Sequence, residues 1–187
     1  MPGPGRICQF KIVLQGTPHV VWRRIQVPDD YTFWDLHVAI QDAMGWQDCH
    51  LHEFRIEHPD KGLGTMGIPS VHGVKQMYPD WEQKLSGWFY PGRRRAQYIY
   101  DPEDGWTHDL TLEETLERVA GAQYPRCTGG AGTVPPEDCG GPSRDVDPGT
   151  RRDQRPKHYE NLAPGMFDPS TVKFTDPKKR LKRLLGD

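Results

Sequence analysis

The sequence predicts an α+β fold: a mixed, mainly antiparallel sheet with an amphipathic helix packed across it, in a β-grasp-like arrangement. Three observations carry that expectation. The chain opens with two alternating stretches joined at Gly16-Thr17-Pro18. A helical pattern bounded at both ends follows, and then a further alternating stretch begins near His50. The order β-β-α-β, with more strands downstream, favours helices on one face of a sheet.

Residues 7 to 14, ICQFKIVL, place Cys8, Phe10, Ile12 and Leu14 on one face, the alternation of a half-buried strand. VVWRRIQV at 20 to 27 is its antiparallel partner, closed by Pro28-Asp29-Asp30 because proline cannot donate to a ladder. Thr32 is a helix cap, and Asp35 three positions on completes a short capping box. Leu36, Ile40, Ala43 and Met44 recur at helical spacing, and Gly45 supplies the left-handed residue that ends such a helix. His50, His52, Phe54 and Ile56 then alternate with Leu51, Glu53, Arg55 and Glu57.

HPDKGLGTMGIPS from His58 reads as a long loop, and Trp81 to Pro91 as a short helix or a further strand. AQYIYD at 96 to 101 and WTHDLTLEE at 106 to 114 are strands, joined by the hairpin chemistry of PEDG. Trp106, His108, Leu110 and Leu112 share one face of the second. Residues 121 to 150 are Gly/Pro-rich and read as an irregular, ordered loop. Arg151 to Asn161 is partly helical by pattern, and DPKKRLKRLL at 176 to 185 is a short helix within a basic C-terminal tail.

At 187 residues the chain is sized for one domain, taken as 1–187. Six Trp, seven Tyr and six Phe argue against disorder, despite 18 Pro, 20 Gly and a mean hydropathy of -0.79. No apolar run reaches the ~20 residues of a bilayer span, and MPGPGRICQF lacks a secretory pattern, so a cytoplasmic protein without membrane contact is expected. Four cysteines are too scattered for a disulfide scaffold, and Cys8 and Cys49 read as small buried hydrophobes. Residues 1 to 150 carry 14 Lys+Arg against 21 Asp+Glu, and residues 151 to 187 carry 10 against 5. The basic tail is expected to pack on the acidic body.

Several words in this chain, taken together, resemble one family. The run YTFWDLHVAIQDAMGWQDCHLHEFRIE at 31 to 57, GWTHDL at 105 to 110, and YPRCTGG…PPEDCGGP at 124 to 142 are similar in wording, order and spacing to the plasmid pRiA4b ORF-3-like domain. That family also carries a label as a mobile-element passenger. The resemblance covers roughly residues 7 to 185. It implies an α+β fold and an association with mobile elements, and it brings no settled biochemical activity. Family members often have a third cysteine before PPEDC; here the position is Val134, which argues against a three-thiolate centre.

Chemistry is expected first at His52 and His108, each on the apolar face of its strand near the strand's start, converging if the strands are neighbours. Imidazole is both a metal ligand and a proton shuttle near neutral pH. The plainer reading makes each a satisfied core residue bonded to backbone or to Asp35, Asp101 or Asp109. Cys127 and Cys139, with eleven residues between them, are spaced too widely for an ordinary zinc pair. They leave two thiolates with His158 or His50 as a weak zinc set. Glu137 and Asp138 offer acid–base groups, more often simply solvated. No phosphate-binding loop, dinucleotide fingerprint, nucleophile elbow or metalloprotease helix is present.

Basic knots at Arg23-Arg24, at Arg93, Arg94 and Arg95, and in the basic tail allow a weak electrostatic nucleic-acid contact. The pI of about 6.4 argues against a dedicated binder. The leading expectation is an accessory or binding protein. The alternatives are a metal-dependent hydrolase centred on His52, His108 and the Cys127/Cys139 loop, and a non-specific nucleic-acid binder.

Overall fold

The computed structural model describes residues 5–58, 60, 62–70, 76–90, 92–142 and 165–186. Among these residues eight strands form one sheet: β1 Arg6–Leu14, β2 Val21–Pro28, β3 His52–His58, β4 Gly62–Gly67, β5 Tyr78–Pro79, β6 Arg95–Tyr100, β7 Trp106–Glu117 and β8 Arg126–Ala131. Their order is β5-β4-β3-β6-β7-β1-β2-β8. Every pairing is antiparallel except β4 with the two-residue β5. The ββαβ start is the part of the β-grasp-like expectation that the chain keeps. Beyond it the sheet widens, and both neighbours of β1 run antiparallel to it.

Helix α1, Phe33–Met44, forms where the caps place it. Thr32 accepts from the Asp35 backbone N–H, the Asp35 carboxylate accepts from the Thr32 N–H at 2.8 Å, and Gly45 ends the helix at φ 80°. The first-turn acid also suits the positive end of the helix dipole. Ten of its twelve residues are buried, so α1 is enclosed well beyond one stripe. Leu36 and Ile40, both fully buried, meet the sheet face built from Phe10, Ile12, Phe54, Tyr98 and Leu110. At the burial coefficient of aliphatic side chains, each contributes about 1.5–3 kcal/mol.

Helix α2, Pro177–Leu185, has Asp176 as its cap and Gly186 as its left-handed end. It docks on α1: the Trp34 Nε1–H donates to the Pro177 carbonyl at 2.9 Å, and Arg180 pairs with Asp42 at 2.6 Å and Asp48 at 3.3 Å. Arg180 of the basic tail therefore pairs with acidic side chains of the body.

Three readings of the sequence are corrected. The stretch from His58, taken as a long loop, contains β4, whose pairing with β3 runs from Glu53↔Gly67 to His58↔Gly62. Its glycine content hid it, and packing explains the glycine: a Cβ on Gly64 would lie 2.4 Å from the Trp88 ring. The Gly/Pro-rich region from 121 contains β8, which pairs with β2. There a Cβ on Gly130 would meet the Phe167 ring at 2.4 Å. Cys49 is exposed, not buried, whereas Cys8 is buried as expected. Between Trp81 and Pro91 the chain forms a 3-10 turn, Leu85–Gly87. The helical pattern at Arg151 to Asn161 lies outside the described residues.

Both helices lie on one face of the sheet. The other face, carrying Lys11, Arg24, Arg55, Arg95, Gln97 and Asp109, is free of helices among the described residues.

Candidate functional site

The ladder places His52 and His108 on the same, helix-covered face. His52 stands opposite Tyr100 and Phe54 opposite Tyr98, while Tyr98 in turn stands opposite His108. Facing residues in an antiparallel pair share a face. Tyr98 separates the two histidines, its ring centroid 6.1 Å from His52 and 5.2 Å from His108.

His52 belongs instead to a group centred on His37. The two imidazoles stack with centroids 3.4 Å apart and planes 6° from parallel. His37 projects from α1, one position after the core residue Leu36, and His52 from the first position of β3. The His37 ring bonds Tyr98 Oη through Nδ1 at 2.8 Å and Asp48 Oδ1 through Nε2 at 2.8 Å. Gln41, one helical turn after His37, donates to the same phenol oxygen at 2.8 Å. His52 Nε2 bonds Asp80 Oδ2 at 2.6 Å, with both side chains fully buried. Asp48 is held from the other side by Arg180 of α2.

Electrostatics follow from burial. Desolvation, then the neighbouring His52, push the His37 pKa down to about 4, against the pull of Asp48 and Asp80. Burial pushes the Asp48 carboxyl up, but the hydrogen bond from His37 and the charges of His37, His52 and Arg180 more than offset it. Asp48 stays below its usual value.

His108 sits apart from that group. Its Nδ1 reaches the Tyr98 carbonyl at 3.3 Å, and its ring meets Trp46 edge-on at 5.4 Å. Burial lowers its pKa to about 4. The carboxylates expected to serve the two strand histidines do other work. Asp35 caps α1, Asp109 accepts from Gln15, and Asp101 lies 3.6 Å from His50. His52 uses Asp80, and His108 uses backbone.

A second group forms at the surface beside the first. His50 Nε2 bonds Asp138 Oδ1 at 2.7 Å, and its Nδ1 lies 3.6 Å from Asp101. Partial burial pulls the His50 pKa down. The hydrogen bond to Asp138 and the charges of Asp101, Asp138 and Glu137 outweigh that and hold it above the ordinary value. Tyr100 Oη accepts from the Cys49 N–H at 2.9 Å and the His50 N–H at 3.3 Å and donates to Glu137. Glu137 also accepts from the Gln47 N–H. The PPEDC segment is thereby pinned onto residues 47 to 50, so Glu137 and Asp138 are engaged and not merely solvated. The three non-glycine residues with positive φ among those described are Asp48, Asp101 and Asp138, all in these two groups. Aspartate is among the few residues that tolerate that conformation.

Among the described residues, two sets of side chains bring ligand atoms within 4.8 Å of one another: His37, Asp48 and His52, and His50, Asp101 and Asp138. Neither contains a cysteine. Cys127 lies in β8, its thiol directed to the Gly129 carbonyl at 3.5 Å, and Cys139 follows Asp138 in the pinned segment. His158 lies outside the described residues. Sequence reasoning missed His37, Asp48 and Asp80. The available signal was a histidine and a glutamine four apart inside a helix whose other polar residues are Asp35 and Asp42.

Comparison with known proteins gives these residues a family setting. The family model described as plasmid pRiA4b ORF-3-like protein matches residues 6–175. The chain belongs to that family. It is 34% identical over 137 residues, 73% of its length and 68% of the relative's, to the uncharacterised protein y4hQ of Sinorhizobium fredii. It also resembles the crystal structure of MM3350, a protein of unknown function from Methanosarcina mazei Go1. There the TM-score is 0.75 at 34% identity, over 91% of this chain and 99% of that one. Within the family's span lie the whole sheet, α1, both histidine groups and the PPEDC segment. No helix among the described residues is long and apolar enough to cross a membrane.

Proposed function

We propose that the protein is a non-enzymatic binding or accessory protein whose ligand is anionic and docks on the helix-free face of the sheet. The observation that carries this reading is a groove of about 1100 Å³ on that face, lined among the described residues by Lys11, Arg55, Arg93, Arg94 and Arg95 against Glu57 and Asp109. Five cations against two carboxylates make a local positive excess in a chain whose net charge is -2. A concave surface of one sign concentrates ligands of the other. Arg93 leans on Glu57 and Arg55 on Glu53, while Arg95 makes no ion pair among the described residues.

Catalysis at His52 and His108 is the weaker reading. Both side chains are buried in the core, and a general base must come within hydrogen-bond reach of a substrate proton. An accessory role in mobile-element biology is the extension that the family label suggests for the binding reading.

The test is a binding titration at low salt with three probes: a labelled oligo-dT strand, poly-glutamate and inorganic phosphate. Saturable binding of at least one probe, lost in Lys11→Glu/Arg95→Glu, is the expected result. Failure of all three to bind, or binding unchanged by the double substitution, would overturn the reading.

A further inference from the structure

We propose that His37, Asp48 and His52 form a buried site for one divalent transition-metal ion of the zinc class. The site lies on the opposite face of the sheet from the anion groove, so either proposal stands without the other.

The donor set is the first argument. Two imidazoles and a carboxylate, with ligand atoms all within 4.8 Å of one another, match the three-ligand N,N,O sites used for zinc and for non-haem iron. The absence of thiolate from the set matches imidazole-loving metals. The set departs from the cysteine-centred zinc expectation altogether.

The second argument is a buried atom with no partner. Asp80 is fixed against His52 Nε2, so that nitrogen carries the ring proton and Nδ1 presents a bare lone pair. This Nδ1 is buried and makes no hydrogen bond among the described residues. Leaving a buried acceptor unsatisfied is costly, and an ion is a standard way to use one.

The third argument is that each ligand is held from behind. Metal-bound histidines usually give their second ring nitrogen to a carboxylate or another oxygen, which fixes ring orientation and raises basicity. Here Asp80 serves His52, Tyr98 Oη serves His37, and Arg180 serves Asp48. With His37 bound through Nε2, its Nδ1–H donates to Tyr98 Oη. The phenol hydrogen then turns to Gln41, whose amide flips to present its Oε1, buried without a partner, in place of the Nε2 that now faces the phenol. That exchange is a tautomer shift within His37, with no net proton lost.

Geometry sets one requirement. Rings stacked at 3.4 Å cannot both point an in-plane lone pair at one ion, so loading tilts them apart on the Asp48 side. Asp48 and Arg180 keep 15% and 18% of their side chains exposed, whereas His37 has none. The ion therefore enters beneath α2, past the Arg180–Asp48 contact.

The experiment is metal analysis of the full chain after dialysis against Zn²⁺ and then chelator-free buffer, with Co²⁺ absorption as the spectroscopic arm. One equivalent per chain is expected, together with visible Co²⁺ bands lacking strong thiolate charge transfer. Asp48→Asn, at the solvent edge of the site, should lose the metal while far-UV circular dichroism stays native. Asp80→Asn should weaken affinity by about 10–100-fold. His50→Ala, which removes the surface histidine, should change neither. Sub-stoichiometric metal in the wild-type chain would overturn the proposal. So would thiolate bands, loss on His50→Ala, or retention in Asp48→Asn.

Discussion

His37 and His52 lie face to face at 3.4 Å, one from the helix and one from the strand that follows it. This contact ties α1 to β3 through two polar rings where an aliphatic pair would serve packing alone. Each ring is committed to a different carboxylate, His37 to Asp48 and His52 to Asp80. The alignment of Asp80, from the segment after β5, thus fixes the start of β3.

Acid should destabilise the protein through His108. Its folded pKa is lowered from 6.5 to about 4 by burial against Trp46 and Tyr98, so the unfolded chain takes the proton first. Stability is full above about pH 6.5 and falls as pH drops towards 4, by about 3 kcal/mol if the whole shift is realised. Denaturant midpoints compared across that window for wild type and His108→Leu check this. The variant should show a shallower acid loss.

Leu36→Ala should cost about 2–5 kcal/mol, because the side chain is fully buried between α1 and the sheet. Thr32→Ala, which removes only the cap, should cost about 1 kcal/mol. Chemical denaturation of both variants measures the ranking. An equal or reversed order would place α1 outside the core.

Arg180→Ala should loosen α2 without unfolding the sheet. Its guanidinium binds Asp42 and Asp48, and charge-assisted hydrogen bonds of this kind contribute about 1.5–3 kcal/mol. Amide exchange in α2 should speed up while β1 and β7 stay protected.

Any DNA or RNA binding through Arg93, Arg94, Arg95 and the basic tail should be weak and free of sequence preference. It should fade steeply with salt, since phosphate contacts release counterions. Fluorescence anisotropy across a salt series measures it, and tight binding to one sequence at physiological salt would contradict this account.

Much of the scaffold was legible in the sequence because its signals were local. Thr32, Asp35 and Gly45 mark α1 at both ends, alternation marks β1, β3 and β7, and turn chemistry and β-like composition mark β2 and β6. β4 and β8 were not legible, since Gly64 and Gly130 are there to admit Trp88 and Phe167 from distant segments. The shared face of His52 and His108 was also legible. Their actual partners were not: Asp80 and His37 come from segments whose approach depends on tertiary packing, and neither pattern nor propensity encodes it.

The placement of β1 has a consequence for synthesis. It lies between β2 and β7, and its pairing with β7 runs from Arg6↔Glu117 to Leu14↔His108. A chain emerging from the ribosome can close the β1–β2 hairpin at once, yet one long edge of β1 stays open until β7 has been made. Non-local pairing of this kind slows folding, and an unpaired edge is a template for association with other chains. Fragments that end before Trp106 should therefore aggregate, whereas nicks beyond β7 leave the central strand sealed.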